Sequence, residues 1–313
     1  MNQMSALGVN PKGFDHLLSV RFYTQIVRSQ LEYGLAISPI STTQLKKLEA
    51  CQTQCIRKIF GGSTRSSTKV MLHLVNQPTM KERVHILQAK FLLRSICSPD
   101  DTLVAKFLPH IRSSSSHSQW YKLSKTPVWQ RYTAMLDDDT YDSRAFAGIR
   151  KQYLEDNLAD RRNSINSVLL SSCRPTLGID PILWLPMSNT ERSRIVRWRL
   201  GWLPGGAPKP CIYHPNDMFT RSHAIWCLHM HRRLQMPLTV PDPLSFLINK
   251  LPNKRKLKPS SPSAPKASIF SAWTVRWPAM CLILFELDYL HHGELPPETP
   301  PLGTKLITWL CNS

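Results

Sequence analysis

The chain has 313 residues, 42% of them hydrophobic, a length and composition that allow two domains, or one large domain with an appendage, around a substantial core. Forty lysines and arginines against 21 aspartates and glutamates give a formal net charge of +19, which indicates a polyanionic partner: nucleic acid first, an acidic membrane surface second. The eight scattered cysteines exclude the disulfide framework of a small secreted domain, and the most apolar run, at 279–290, is shorter than the roughly 20 residues that cross a bilayer.

The first residues also lack the apolar core of a signal peptide. We therefore expect an intracellular protein, nuclear or cytoplasmic and not secreted, that has no membrane partner. A basic chain can also carry nothing more than solvated lysines, so the charge alone leaves the nucleic-acid interpretation open.

Helical periodicity dominates the first part of the chain. Between 14 and 35 the apolar residues recur at three- and four-residue steps, which predicts one amphipathic helix. The residues expected on its apolar face are Phe14, Leu17, Leu18, Phe22, Ile26 and Val27.

Three further helices begin with capping-box spacing, in which a Ser or Thr precedes a Glu or Gln by three positions. The pairs are Ser41 with Gln44, Thr79 with Glu82, and Ser188 with Glu191. We expect these helices to run to about 60, where glycines supply a stop, to about 97 and to about 203.

The rest of the chain is less regular. Residues 142–170 have helical periodicity, and 174–187 are broken by prolines and a glycine and are predicted to link two units. Residues 252–268 are rich in proline, serine and lysine, a composition typical of disorder. A last helix is predicted at 269–291, before a proline-rich segment.

A Cys/His cluster follows the third capped helix, with the spacing Cys211-x2-His214-x8-His223-x3-Cys227. The first pair can approach one ion from a tight turn, and the second pair, four residues apart, shares a helix face. Thiolate and imidazole suit Zn²⁺, and four protein ligands would make the site structural. The alternative is a surface helix that happens to be rich in histidine.

Basic residues near this cluster are the candidate nucleic-acid contacts, because arginine forks match phosphates and indole faces can stack on bases. The candidates are Arg192, Arg194, Arg197, Arg199, Trp202, Arg232 and Arg233, with Lys254, Arg255 and Lys256 of the run "NKRKLK". The basic run is interpreted as a nuclear localisation signal or a phosphate-binding patch. In the alternative interpretation the tryptophans are core, the arginines form a solvated helix face, and the basic run is a charged flexible linker.

The run "MLDDDT" at 135–140 invites a two-metal polymerase interpretation. Such chemistry needs a partner carboxylate on a neighbouring strand, and the flanks predict no strand. We therefore interpret Asp137 to Asp139 as an acidic turn or helix cap.

Several segments together resemble one family. The segments "LLSVRFYTQIVRSQLEYGLAI" at 17–37, "LKKLEACQTQCIRKIFGG" at 45–62 and "MKERVHILQAKFLLRS" at 80–95 resemble the region after the palm in reverse transcriptases of non-LTR, LINE-like retrotransposons. The Tyr-Gly pair at 33–34 and the Leu-Glu-x-x-Gln pattern at 48–52 carry part of the likeness, as does the ending "KIFGG". The segment "RWRLGWLPGGAPKPCIYH" followed by "HAIWC" resembles the family's C-terminal knuckle.

The resemblance implies helical thumb and connector regions, a structural zinc ion, and RNA or DNA as partner with low sequence preference. An intact element-encoded protein acting in trans is a further expected partner. His214 departs from the family pattern, which has Cys there. The fingers, the palm and the catalytic hairpin would precede residue 15, so the resemblance implies a truncated fragment to which no catalytic residue carries over.

The sequence thus predicts a mainly α protein: a helical thumb and connector bundle, then a small zinc-knuckle unit and a C-terminal helix. The predicted regions are a thumb-like region at 1–97, a connector at 98–187, the arginine-rich helix and zinc knuckle at 188–236, a basic Pro/Ser-rich linker at 237–268 and a helical tail at 269–313. The expected function is non-catalytic binding of RNA or DNA through a basic surface. The alternative is a zinc-stapled protein-interaction module, or an inert relic with no nucleic-acid role.

Overall fold

The computed structural model describes residues 1–113, 118–136, 141–207, 209–253, 266–293 and 302–312, and of 113 and 266–271 only the backbone. The described residues are mainly helical and contain no β-strand, which confirms the mainly α fold class. The chain divides into two compact units. Unit 1 is Met1–Ser164 with Pro175–Gly178, and unit 2 is Ile165–Arg174 with Ile179–Ser313. The functional regions outlined from the sequence stay predictions.

The described part of unit 1 contains ten α-helices. They are α1 (Asn2–Ala6), α2 (His16–Phe22), α3 (Arg28–Leu31), α4 (Thr42–Phe60), α5 (Thr68–Leu74), α6 (Met80–Ile96), α7 (Leu103–Ser113), α8 (Gln119–Ser124), α9 (Pro127–Thr133) and α10 (Ser143–Asn163). A π-helical turn, Tyr23–Val27, joins α2 to α3.

The capping signals correctly predicted where α4 and α6 begin. Ser41 Oγ accepts the Gln44 amide at 3.2 Å, and the Gln44 side chain accepts the Ser41 amide at 2.9 Å. The same reciprocal pair starts α6, and α4 ends at Gly61, whose φ of 72° is the left-handed conformation that glycine tolerates.

The apolar face predicted for 14–35 is only partly correct. Ser19, Val20, Tyr23 and Leu35 are the buried residues of this range, whereas Phe14 and Ile26 are more than a third exposed. The π turn explains the difference, because its wider i→i+5 repeat breaks the 3.6-residue spacing on which the prediction depended.

A hydrophobic cluster joins α6 to α9 and α10. From α6 it contains Ile86, Ala89, Leu92 and Leu93; from α9, Val128, Trp129 and Tyr132; from α10, Phe146, Ile149 and Tyr153. The Tyr153 hydroxyl also lies 2.8 Å from Nδ1 of His85 on α6. Side chains of α6 and α10 therefore meet in one cluster together with α9.

The described part of unit 2 contains seven α-helices and a 3₁₀ turn, Pro181–Leu183. The helices are α11 (Val168–Ser171), α12 (Asn189–Arg199), α13 (Arg221–Cys227), α14 (Met230–Arg233), α15 (Pro243–Lys250), α16 (Lys266–His292) and α17 (Thr304–Cys311). α12 begins with the predicted capping box, and α16 contains the predicted last helix.

The prediction of a linker at 237–268 is wrong for its first part, where α15 forms. Asp242 caps this helix by accepting the Ser245 amide at 2.9 Å. Leu244, Leu247 and Ile248 are buried. Their helical spacing outweighs the surrounding prolines, and Pro243 at the first helical position suits a helix start.

Glu191 connects the beginnings of α12 and α17 within unit 2. Its Oε2 accepts the Ser188 amide at 2.8 Å as part of the capping box, and its Oε1 accepts the Gly303 amide at 2.6 Å. Gly303 has a φ of 82°, and a Cβ there would lie 2.7 Å from the Trp277 ring, so glycine is required for this approach.

Among the helices of the described ranges, none combines the length and the apolar character that a bilayer span requires.

Candidate metal centre

A short loop positions the first two residues of the Cys/His cluster. The Cys211 amide donates to the Asp217 carbonyl at 2.8 Å, and the Asp217 amide donates to the His214 carbonyl at 2.9 Å. An isolated antiparallel bridge between Pro210 and Met218 closes the loop. The backbone therefore folds back so that Cys211 and His214 lie on one side of a tight turn.

α13 positions the other two residues. Thr220 caps the helix by accepting the His223 amide at 3.2 Å. His223 and Cys227 then lie one turn apart on the same face, as the spacing predicts. Ala224, between them, is fully buried and fixes this face toward the interior of unit 2.

The four side chains converge. One ligand atom from each of Cys211, His214, His223 and Cys227 can be chosen so that all four lie within 4.8 Å of one another. The two Sγ atoms are 3.8 Å apart, and Cys211 Sγ lies 3.8 Å from His214 Nδ1. Metal–sulfur bonds of about 2.3 Å in tetrahedral geometry separate two sulfurs by about 3.8 Å, whereas a disulfide needs about 2.05 Å. The cluster can therefore hold a metal ion.

His223 has the environment of a ligand. The His223 side chain is only 10% exposed, and its Nε2 atom is buried without a hydrogen-bond partner. Its Nδ1 faces the Asp217 carboxylate at 3.8 Å, longer than a hydrogen bond. Metal-ligating histidines commonly present one ring nitrogen to the ion and turn the other toward a carboxylate.

Burial raises the pKa of Cys227 to about 12, and the neighbouring Cys211 adds to the shift because its sulfur disfavours a second negative charge. The protein alone thus keeps this thiol protonated. A bound dication supplies the opposite charge, which stabilises thiolates.

Arg221, at the start of α13, was not identified from the sequence. Its guanidinium donates to the Asp242 carboxylate at 2.7 Å and to the Trp198 carbonyl at 2.7 Å, and it lies 3.9 Å from the centre of the Trp198 ring. These contacts anchor α13 to α12 and to the start of α15. The carboxylate partner is 21 residues away, so no local pattern could reveal it.

Aromatic side chains surround the histidines. The Trp226 ring centre is 4.8 Å from that of His214 and 5.6 Å from that of His223. Trp226 is nevertheless 59% exposed. Its indole covers the outer side of both imidazoles while keeping one face in solvent.

The arginines of α12 are directed into unit 2. Arg192 donates to the carbonyls of Ile182 and Leu185. Arg194 and Arg197 both pair with Asp288 of α16, at 2.9 and 2.8 Å.

Arg199 is 0% exposed and donates to the Ser172 carbonyl and the Asn249 side chain. The prediction that Arg194 and Arg199 contact phosphates is therefore corrected: both are buried and held by protein oxygens. Arg192 and Arg197 are half-buried and also held by protein oxygens.

The remaining candidates are dispersed. Trp202 is half-buried, Arg232 is exposed, and Arg233 donates to both carboxylate oxygens of Glu286. Lys254, Arg255 and Lys256 lie outside the described residues, as do Asp137 to Asp139.

Comparison of the chain with protein-family models, with curated proteins and with solved structures finds no match.

Proposed function

We propose that this chain is a non-catalytic nucleic-acid-binding protein whose second unit is stabilised by one structural Zn²⁺ ion. The convergence of Cys211, His214, His223 and Cys227 carries the zinc part of the proposal. Two sulfur and two nitrogen donors are a set that zinc prefers, and four protein ligands fill a tetrahedron. No coordination position is left for water or substrate, so the ion has a structural role.

The net charge of +19 supports the nucleic-acid part of the proposal. The resemblance to the region after the palm of LINE-like reverse transcriptases supports it as well, and we propose that ancestry, a nuclear or cytoplasmic location, and an intact element-encoded protein as an additional partner. Binding depends on phosphates and has little sequence preference, because contacts to the phosphate backbone carry no base information.

Metal analysis tests the zinc site. We expect purified protein to contain one zinc per chain, and the double variant Cys211→Ser/Cys227→Ser to contain none. Replacing the exposed Cys97 and Cys311 by serine is the matched control, because it removes two thiols that lie outside the cluster. Wild-type protein that stays metal-free after exposure to zinc, with a native circular-dichroism spectrum, would refute the site.

Fluorescence anisotropy with short labelled RNA and DNA strands tests nucleic-acid binding. We expect binding to both strands and a steep loss of affinity with added salt, because each neutralised phosphate releases counterions. Affinity that does not change between about 50 and about 200 mM salt would contradict this part of the proposal. Primer extension by the purified chain would contradict the non-catalytic assignment.

A second candidate function is a zinc-stapled protein-interaction module. It is favoured by large apolar side chains that are more than half exposed beside the metal centre: Ile212, Tyr213, Met218 and Trp226. An exposed apolar group of this kind marks many interaction sites. One zinc per chain without any binding of RNA or DNA would favour this second function.

A further inference from the structure

Three basic residues of unit 1 are not among the arginines that the sequence singled out. Lys90 and Arg94 lie one turn apart on α6, and Arg150 lies on α10. All three are exposed. Within the described ranges, none of the three forms an ion pair or a side-chain hydrogen bond.

The hydrophobic cluster shared by α6 and α10 relates the positions of these residues. Each basic residue directly follows a buried residue of the shared core: Lys90 follows Ala89, Arg94 follows Leu93, and Arg150 follows Ile149. One step along a helix rotates a side chain by about 100°, so each basic residue lies beside the buried face of its helix, where it is exposed to solvent. The three exposed cations therefore border the hydrophobic cluster that α6 and α10 share.

The electrostatics of Lys90 agree with this geometry. The nearby charge of Arg94 lowers the pKa of Lys90, and partial burial and the charges of Arg150 and Arg83 lower it further. Arg83 itself pairs with Glu32, through bonds of 2.5 and 2.8 Å. Lys90, Arg94 and Arg150 therefore concentrate positive charge that no described carboxylate neutralises through an ion pair.

We propose that Lys90, Arg94 and Arg150 form the main phosphate-binding surface of this protein and contact the backbone of an RNA or DNA strand. This inference rests on the proposed nucleic-acid binding and assigns it to α6 and α10 in place of α12. Two guanidinium forks and one ammonium suit phosphate oxygens, and exposed cations bind without breaking internal ion pairs. Contacts to phosphates carry no base information, so the surface accepts either nucleic acid.

The test compares two triple variants of the full chain with equal loss of charge. The first is Lys90→Gln/Arg94→Gln/Arg150→Gln. The matched control is Arg65→Gln/Lys250→Gln/Lys305→Gln, which removes three exposed cations elsewhere. Circular dichroism and thermal melting of both variants establish that they fold like the wild type.

Salt titrations of binding to a short single-stranded RNA give the main readout. Three lost phosphate contacts lower the slope of log affinity against log salt by about 2, since each contact contributes about 0.7 on a single strand. We expect this loss, with at least a tenfold weaker affinity at low salt, in the first variant only. Equal losses in both variants, or no loss in the first, would overturn the assignment to α6 and α10.

Inorganic tripolyphosphate separates failure of this inference from failure of the proposed function. Its binding, measured by calorimetry, requires an anion site but no nucleic acid. In one outcome the wild type binds tripolyphosphate but neither RNA nor DNA, and the first variant no longer binds tripolyphosphate. That result would support the anion surface and refute the proposed function. Wild-type protein that binds neither RNA, DNA nor tripolyphosphate would refute both.

Discussion

Two basic helices of this protein differ in whether their cationic side chains are bonded to other protein groups or exposed to solvent. α12 in unit 2 carries Arg192, Arg194, Arg197 and Arg199, and each of them bonds to protein oxygens. α6 in unit 1 carries Lys90 and Arg94, which remain exposed. Basic residues at helical spacing therefore indicate a polyanion surface only where acceptors from the rest of the fold are absent.

The acceptors decide this difference. Asp288, which pairs with two arginines of α12, belongs to α16 and is 94 residues from Arg194. Burying a guanidinium without such a partner costs several kcal/mol of stability. An arginine is therefore buried where a carboxylate such as that of Asp288 can pair with it, and otherwise remains available to ligands. The arginines of α12 and the metal ligands of unit 2 thus contact other protein groups, whereas Lys90 and Arg94 of α6 and Arg150 of α10 stay exposed to solvent.

Removing the metal centre tests how strongly the Cys/His cluster stabilises unit 2, and it should have the largest effect on stability. We expect Cys227→Ser to lower the free energy of unfolding by about 4 kcal/mol when zinc is about a thousandfold above its dissociation constant. For a unit of this size the loss corresponds to about 10 °C in melting temperature. Thermal melts with and without a chelator measure it.

The control for this prediction is Cys281→Ala, which changes another buried cysteine of unit 2. Its melting temperature should still fall when the chelator is added, as in the wild type. A melting temperature of Cys227→Ser that equals that of the zinc-loaded wild type would contradict a structural ion.

Asp288→Asn tests the ion pairs of α12. Burial opposes the charge of Asp288, but the hydrogen bonds and charges of Arg194 and Arg197 outweigh it, so its pKa lies below the ordinary value. We expect a loss of about 3 kcal/mol at neutral pH, because the variant leaves a buried arginine without its counterion. Urea unfolding of both proteins measures the difference.

The pH dependence of this loss has a defined sign. A carboxylate with a lowered folded-state pKa stabilises fully above its unfolded pKa of about 3.9 and ceases to stabilise as the pH falls through the folded value. The gap between wild type and variant should close below about pH 4. Glu286→Gln, on the same helix but in a more exposed pair with Arg233, should cost less than about 1 kcal/mol.

Arg221→Lys tests the anchor of the metal helix. Lysine keeps the charge but cannot reproduce the fork toward Asp242 together with the contact to the Trp198 ring. We expect a loss of about 2 kcal/mol in stability and a faster release of zinc to a chelator. The exposed Arg232→Lys should change stability by less than about 0.5 kcal/mol. Identical zinc-release rates for Arg221→Lys and the wild type would show that α13 does not depend on this anchor.

Lys90→Gln gives the smallest effect, and its sign is informative. Lys90 and Arg94 repel each other at i and i+4, so we expect a gain in stability of a few tenths of a kcal/mol. Lys151→Gln should lose a similar amount, because Lys151 pairs with Glu155 one turn later on α10. Low-salt urea denaturation measures both, and a loss for Lys90→Gln would indicate a carboxylate partner.

Local signals made the helix starts and the metal cluster predictable. The capping boxes of α4, α6 and α12 and the Cys/His spacing each depend on residues close in sequence, and they appear in the structure as expected. The burial of Arg199 and the anchor at Arg221 depend on partners 21 to 50 residues away. Helices of eight residues or fewer, such as α15, offer too few repeats for periodicity to identify them.

The bond between Glu191 and Gly303 couples segments that are 112 residues apart in the chain. At a synthesis rate of about 5–20 residues per second, Gly303 is added on the order of ten seconds after Glu191. Until α17 emerges from the ribosome, the capping box of α12 stands without its long-range partner. Unit 2 should accordingly reach its native state only after translation of α17, and nascent chains stalled before residue 303 should remain sensitive to proteases.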